Sequence, residues 1–204
     1  ELFIFRIFLF GLIFLLVPQT YLFAIMLTPF MLILLAGYIF YPSFGINLNR
    51  RMLVATILIA LITFIIEAIG VATGFPFGNY SYGPTLGFKL FETPLIIGLN
   101  WVIVIIGTGS LASNYFKNKF AIAGLAGLFA VIFDIILEPV AIKLNYWNWT
   151  ESIIPIQNYL AWFVITFTLV LLYQQFVGIM KNRRARYSMI YQLLFFDALL
   201  FLIQ

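Results

Sequence analysis

The chain contains neither cysteine nor histidine. Lack of cysteine excludes disulfides, iron–sulfur clusters and thiolate zinc sites. Lack of histidine excludes His-ligated haem and the commonest general base. Charge is scarce too: charged residues are 9% of 204, against about 25% in an average soluble domain. Any chemistry therefore falls to Asp, Glu, Lys, Tyr and Asn. No metal site of the usual cysteine or histidine kind is expected.

What fills the chain is apolar. Hydrophobic residues make up 64% and aromatic residues 19%, with a mean hydropathy of +1.11. A small soluble globule leaves much of its chain at the surface and could not hide this; lipid can. In lipid the backbone must satisfy its own hydrogen bonds, which leaves helices or a closed barrel. Barrel strands alternate apolar with polar residues, whereas the runs here are continuously apolar. The expected fold is all-α: a polytopic bundle of about seven transmembrane helices, with residues 1–204 forming a single integral membrane domain.

The spans read as roughly 2–17, 20–41, 52–73, 94–113, 119–138, 155–179 and 187–203, most near the ~20 residues that cross a hydrocarbon core. Pro18 separates the first two, Pro42 and Gly45 close the second, and Pro94 and Pro155 open the fourth and sixth. The first segment lacks a small-residue cleavage site and runs straight into the second, so it reads as a retained helix and not a signal peptide. Arg50, Arg51, Lys117, Lys119, Lys181, Arg183, Arg184 and Arg186 fall in or beside three loops on one side. They are eight of eleven basic residues, which makes that side, and the N-terminus, cytoplasmic in the cell membrane. A net charge of +4 so distributed marks topology, not a nucleic-acid surface. Loops 74–93 and 139–154 then face outward, and long loops tend to carry function.

A faint repeat supports this layout. Glu67 to Asn79 and Asp134 to Asn145 are spaced 12 and 11; each Asn is followed by Tyr, and Pro94–Trp101 and Pro155–Trp162 are both spaced 7. Such a pattern fits a parallel duplication of helices three–four and five–six, with a site between the halves. Chance matching explains it as well.

Acidic residues are few enough to weigh singly. Glu67, Asp134 and Glu138 lie within or at the outer ends of spans three and five. An ionised carboxylate at mid-membrane costs about 2.5–3.5 kcal/mol, so each needs partners and suggests function. Asp134 and Glu138, four residues apart, share one helix face. In low dielectric two such carboxyls resist double ionisation, and a protonated acid beside an ionised base suits acid–base work. The plainer alternative is a structural clamp, pairing with Lys143 or capping a helix. Tyr80, Tyr82, Trp101, Tyr146, Trp147, Trp149, Tyr159 and Trp162 gather near the outer interface. They suit an aromatic belt, or a slot for a flat conjugated ligand whose rings could also steady a cation. Asn79, Asn100 and Asn158 would need partners in that setting. Gly107-Thr108-Gly109-Ser110-Leu111-Ala112 matches a dinucleotide fingerprint, but it ends an apolar span and follows no strand. Small residues packing helices explain it better.

Three stretches carry a resemblance: GFPFGNYSYGPTLGFKLFETPLIIGLNW (74–101), DIILEPVAIKLNYW (134–147) and IPIQNYLAWF (154–163). They resemble the carotenoid-biosynthesis membrane proteins of the carotenoid hydratase type, over about residues 50–180. Members of that family add water across the terminal double bond of acyclic carotenoid ends, and known ones act on γ-carotene or bisanhydrobacterioruberin. The resemblance implies a cofactor-free hydratase whose substrate is a carotenoid or similar long isoprenoid taken from membrane lipid. A proton goes to carbon two, and water captures the tertiary cation at carbon one. On this reading Asp134 or Glu138 is the acid, and Glu67 steadies the cation or acts as base toward water. Asn79, Tyr80, Tyr82, Asn100, Trp101, Tyr146, Trp147, Asn158 and Trp162 hold water or shape the slot. Two other functions fit the sequence: a small-molecule transporter or its substrate-binding subunit, and a non-catalytic pigment-binding or scaffold subunit. A transporter needs a site open to outer water, a hydratase one open to lipid, and a scaffold no cavity at the acids. The sequence does not specify protein partners.

Overall fold

The computed structural model describes residues 2–41 and 49–202. Pro42, Gly45 and most of the expected first basic loop lie outside the described residues. The fold is all-α apart from four very short strands. In chain order it runs α1 (Leu2–Leu16), α2 (Pro18–Met26), α3 (Thr28–Phe40), α4 (Arg50–Thr73), β1 (Tyr80–Tyr82), β2 (Lys89–Leu90), β3 (Thr93–Pro94), α5 (Ile96–Ala112), α6 (Lys119–Lys143), β4 (Trp147–Trp149), α7 (Ile156–Phe176) and α8 (Arg183–Leu202).

Asparagines start the helices that leave the basic end. Asn49 accepts from the Met52 amide at 2.9 Å, and Asn118 from the amides of Phe120 and Ala121. Asn182 accepts from those of Arg184 and Ala185, both at 3.1 Å. Each cap satisfies amides that the first helical turn leaves open. At the other end α4 stops on Gly74, whose φ of +76° suits a residue without Cβ.

The helix count differs from seven simple spans. Among the described residues four helices, α4, α6, α7 and α8, are long and apolar enough to cross a membrane. The expected span 20–41 is instead the pair α2 and α3, bent by 60° at Leu27, and counting it as one broken span makes five. Pro29 at the start of α3 explains the break, since its ring blocks helix continuation. Helices α1 and α5 have 15 and 17 residues. α5 is short because it is the buried axis: Trp101 to Ser110 are all shielded, and α3, α4, α6, α7 and α8 pack around it. Conversely, α6 runs through Pro139 to Lys143, which puts Asp134 and Glu138 inside a helix. The proposed duplication is not established by this arrangement.

The loops sort to two ends. β1 pairs antiparallel with β4, Tyr80 opposite Trp149 and Tyr82 opposite Trp147, which binds the segments after α4 and α6 together. At the other end Asn182 donates to the Ser110 hydroxyl at 3.3 Å, and Arg186 bonds Asn114. Together, the apolar helices make this a membrane protein.

Candidate functional site

The strands explain how three carboxyls are tolerated among apolar helices. In β1 and β4 the aromatic residues alternate with polar ones, so Ser81 and Asn148 face out while Tyr80, Tyr82, Trp147 and Trp149 face in. Side chains two apart on a strand share a face. Their four donors aim at the acids below.

Glu67, on α4, is 5% exposed. Its Oε2 accepts from the Tyr80 hydroxyl and from the Tyr82 hydroxyl at 2.7 Å. Its Oε1 accepts from Trp101 Nε1, on α5, at 2.7 Å. Three donors on two oxygens suit an acceptor-only carboxylate. Burial pushes the Tyr80 and Tyr82 phenols well above the usual tyrosine range, and the neighbouring Glu67 charge adds to this. Both therefore stay donors.

Glu138, on α6, is 1% exposed. Its Oε2 accepts from Trp147 Nε1 and Trp149 Nε1, both at 2.9 Å. Its Oε1 has only a 3.4 Å contact from Asn158 Nδ2. The same Asn158 nitrogen, on α7, donates to Asp134 Oδ2 at 2.6 Å. Asp134 is fully buried, and its Oδ1 has no partner among the described residues. Among the described residues every donor to the three carboxyls is neutral, and Lys143 is exposed, which speaks against the lysine clamp weighed above.

Between the two glutamates lies a cavity of about 20 Å³, walled by Glu67, Glu138, Asn100, Asn158 and aromatic rings. A space of ~10–15 Å³ or more on this measure admits one water. Tyr80 and Trp149 meet across it at 5.3 Å between ring centres, Tyr82 and Trp147 at 6.1 Å. Trp162 completes the wall and lies tilted by 32° against Trp101, with ring centres 4.3 Å apart.

Most of the expected site residues thus meet in one place, with three departures. Asn79 is exposed; its side chain lies against Gly74 and its carbonyl accepts from Thr150, so it belongs to the loop and not to the cavity. Tyr146 is buried but bonds Thr28 at 3.1 Å and lines two neighbouring cavities instead. Asp134 sits behind Asn158 and does not line the water-sized cavity. Trp149, grouped above with the outer aromatic cluster but not with the residues of the slot, also lines the site. The alternation Tyr-Ser-Tyr and Trp-Asn-Trp is the strand signal that would have found the pairing.

Residues 20–203 match the family described as carotenoid biosynthesis protein. That reaches beyond the stretch 50–180 and takes in α2, α3 and α8. Among curated proteins, the bisanhydrobacterioruberin hydratase of Haloarcula japonica is 25% identical over 138 residues, which cover 61% of this chain and 45% of that protein. The match therefore spans less than half the length of that relative. No solved structure matches the chain.

Proposed function

The chain belongs to the carotenoid biosynthesis protein family, and from that premise we propose that it is a hydratase adding water to the terminal double bond of an acyclic carotenoid end. The observation that carries this reading is the water-sized cavity with a carboxyl on each side. Glu138 is the acid. Its Oε2 is held by two indoles, which leaves Oε1 free to carry a proton into the cavity. Asp134 shares the Asn158 amide nitrogen with it. Glu67 is the carboxylate. Its three donors fix it as a pre-organised negative charge, of the kind that stabilises developing charge best.

The step balances without a redox partner. The Glu138 proton passes to carbon two as the alkene π pair forms the new C–H bond. The cation at carbon one is steadied by Glu67 and by ring faces. Water in the cavity forms the C–O bond and gives its proton to a carboxylate, leaving a tertiary alcohol. Glu67 serves as that base, and return of the proton to Glu138 closes the cycle.

Orientation belongs to the same proposal. α1, the bent α2–α3 pair and α4 to α8 make seven passages of one domain in the cytoplasmic membrane. The basic end and N-terminus are cytoplasmic, and the site lies in the outer half. Cysteine placed at 83–88 then reacts with an impermeant thiol reagent in intact cells; labelling only after lysis inverts the orientation. The functional test is a conversion of an acyclic carotene in labelled water. Label in the product hydroxyl is expected, whereas oxygen taken from O₂ would replace hydration with an oxygenase reaction.

A further inference from the structure

The acid cavity itself is only water-sized, yet it is not isolated. Ile97, Asn100 and Trp147 are shared with an adjoining cavity of about 40 Å³. That one in turn shares Thr28, Leu32, Tyr146, Gln192 and Phe196 with a third cavity of about 260 Å³. The third is a gallery between α1, α3 and α8, and its walls are almost wholly apolar. It exists because α2 and α3 are bent apart at Leu27, and Leu27 and Thr28 line it at that break. Phe10, Phe14 and Leu34 belong to its wall and are also exposed on the outer surface of the bundle. The gallery therefore reaches from the lipid-facing side toward the acids.

We propose that this gallery holds the polyene chain of the substrate, entering sideways from the lipid between α1 and α3, with its terminal double bond leading through the small cavity to Glu138. The proposal rests on the hydratase reading for what happens at the acids, but not for what fills the gallery. Three features select a polyene over a phospholipid tail. The wall is rich in aromatic rings, among them Phe8, Phe195 and Phe196, which give a flat conjugated chain broad dispersion contact. Among the described residues no Lys or Arg lines it, so none of them would hold a phosphate headgroup. Its far end leads to a polar site, where a lipid tail would end in a methyl group. Gln192 adds an independent sign. It is 4% exposed, it lines both the gallery and the junction, and its Oε1 has no partner among the described residues. A buried acceptor left unpaired is costly, and here it can accept from a water at the mouth of the acid cavity.

Entry from lipid brings no hydrophobic gain, because lipid tails are as apolar as the wall. Binding rests on shape and dispersion, so a bulky side chain in the path should count heavily. Gly11 faces Phe195 with open space beside it: a Cβ there would meet the ring at 3.6 Å, an ordinary contact. The test uses purified protein in lipid nanodiscs with lycopene, whose absorption band reports binding. Geranylacetone, with the same end group and a short chain, is the second probe, and its displacement of lycopene is measured. Gly11→Phe and Ala24→Phe are expected to weaken lycopene binding by roughly tenfold or more. Both should hold geranylacetone normally, with an unchanged thermal midpoint as the check on folding. Unaltered lycopene binding by both filled variants overturns the gallery, as does a co-purifying phospholipid that lycopene cannot displace. Lycopene held in the gallery but never hydrated sinks the hydratase reading alone and leaves the gallery standing.

Discussion

Glu67 and Glu138 face one another in nests of similar build and opposite saturation. Each glutamate sits on a long helix, and the strand that follows that helix folds back to place two aromatic donors on one carboxyl oxygen. They differ at the second oxygen. In Glu67 it takes a 2.7 Å bond from Trp101, whereas in Glu138 it has a 3.4 Å contact with Asn158. Hydrogen bonds to a charged acceptor are worth about 1.5–3 kcal/mol each. On the reading proposed above, the fully bonded carboxyl serves as the carboxylate and the one with an open oxygen as the acid. The two scaffolds would then differ in acid–base role through one missing donor.

The sharpest way to break this comparison is to make the same change in both nests. In Glu138→Gln the amide oxygen can take the place of Oε2 and accept both indoles, with its NH₂ toward the cavity. The protein should fold, and product formed per unit of folded protein should fall about 10²–10⁴-fold, the usual effect of a general acid. Asp134→Asn, behind the cavity, should cost clearly less. If Glu138→Gln is folded and fully active, Glu138 is not the acid and the assignment moves to Asp134. In Glu67→Gln the amide oxygen can accept from Trp101, but the NH₂ then meets both phenols, which must turn from donating to accepting, and the charge-assisted bonds are lost. That variant should lose activity and, unlike Glu138→Gln, about 1–3 kcal/mol of stability, seen as a lower thermal midpoint in detergent. Equal midpoints for the two amide variants would mean that the nests do not differ as described.

A finer version removes donors. Tyr82→Phe leaves Tyr80 on the same Glu67 oxygen, so a loss near 0.5–1.5 kcal/mol is expected. Trp101→Phe takes the sole donor from the other oxygen and should cost more. On Glu138, Trp149→Phe leaves Trp147 in place and should resemble Tyr82→Phe. A double-mutant cycle of Trp149→Phe with Glu138→Gln measures the coupling directly.

These nests also mark how far the sequence could be read. Long apolar runs with few charges gave the membrane class and the all-α fold, because lipid leaves the backbone so few choices. The three acids stood out for the same reason: a carboxyl in such a run is costly and must be answered. What answers it was hidden. Tyr82 and Trp147 lie in loops far apart in the chain, and only the β1–β4 pairing brings them opposite each other. Asn79 misled because an amide beside Tyr80 looks like a site residue, yet the alternation of a strand turns neighbours to opposite faces. Likewise hydropathy alone could not separate α5, buried on every side, from a lipid-facing span, nor foresee the bend at Leu27. Tyr146 was expected among the slot residues, but its hydroxyl meets Thr28, from a helix the resemblance did not reach.

The smallest expected effect concerns the phenols of the Glu67 nest, which have no counterpart beside Glu138. An exposed tyrosine ionises near pH 10. Burial, reinforced by the Glu67 charge, holds Tyr80 and Tyr82 well above that, and burial pushes Tyr146 up to about 12. For a group whose native pKa is raised, the stabilisation is fully present below the unfolded value and is lost as pH rises through the native one. Stability should therefore hold up to about pH 10 and decline above it, as the unfolded chain sheds phenolic protons that the native state keeps. Phenolate absorbance should rise in two stages, accessible tyrosines first and the buried group only with unfolding. Tyr82→Phe should flatten the alkaline decline, since one such proton is gone, while Trp149→Phe should leave its slope unchanged because an indole does not titrate there. If Tyr82→Phe and Trp149→Phe show the same alkaline slope, the phenols are not donating to a buried carboxylate as drawn.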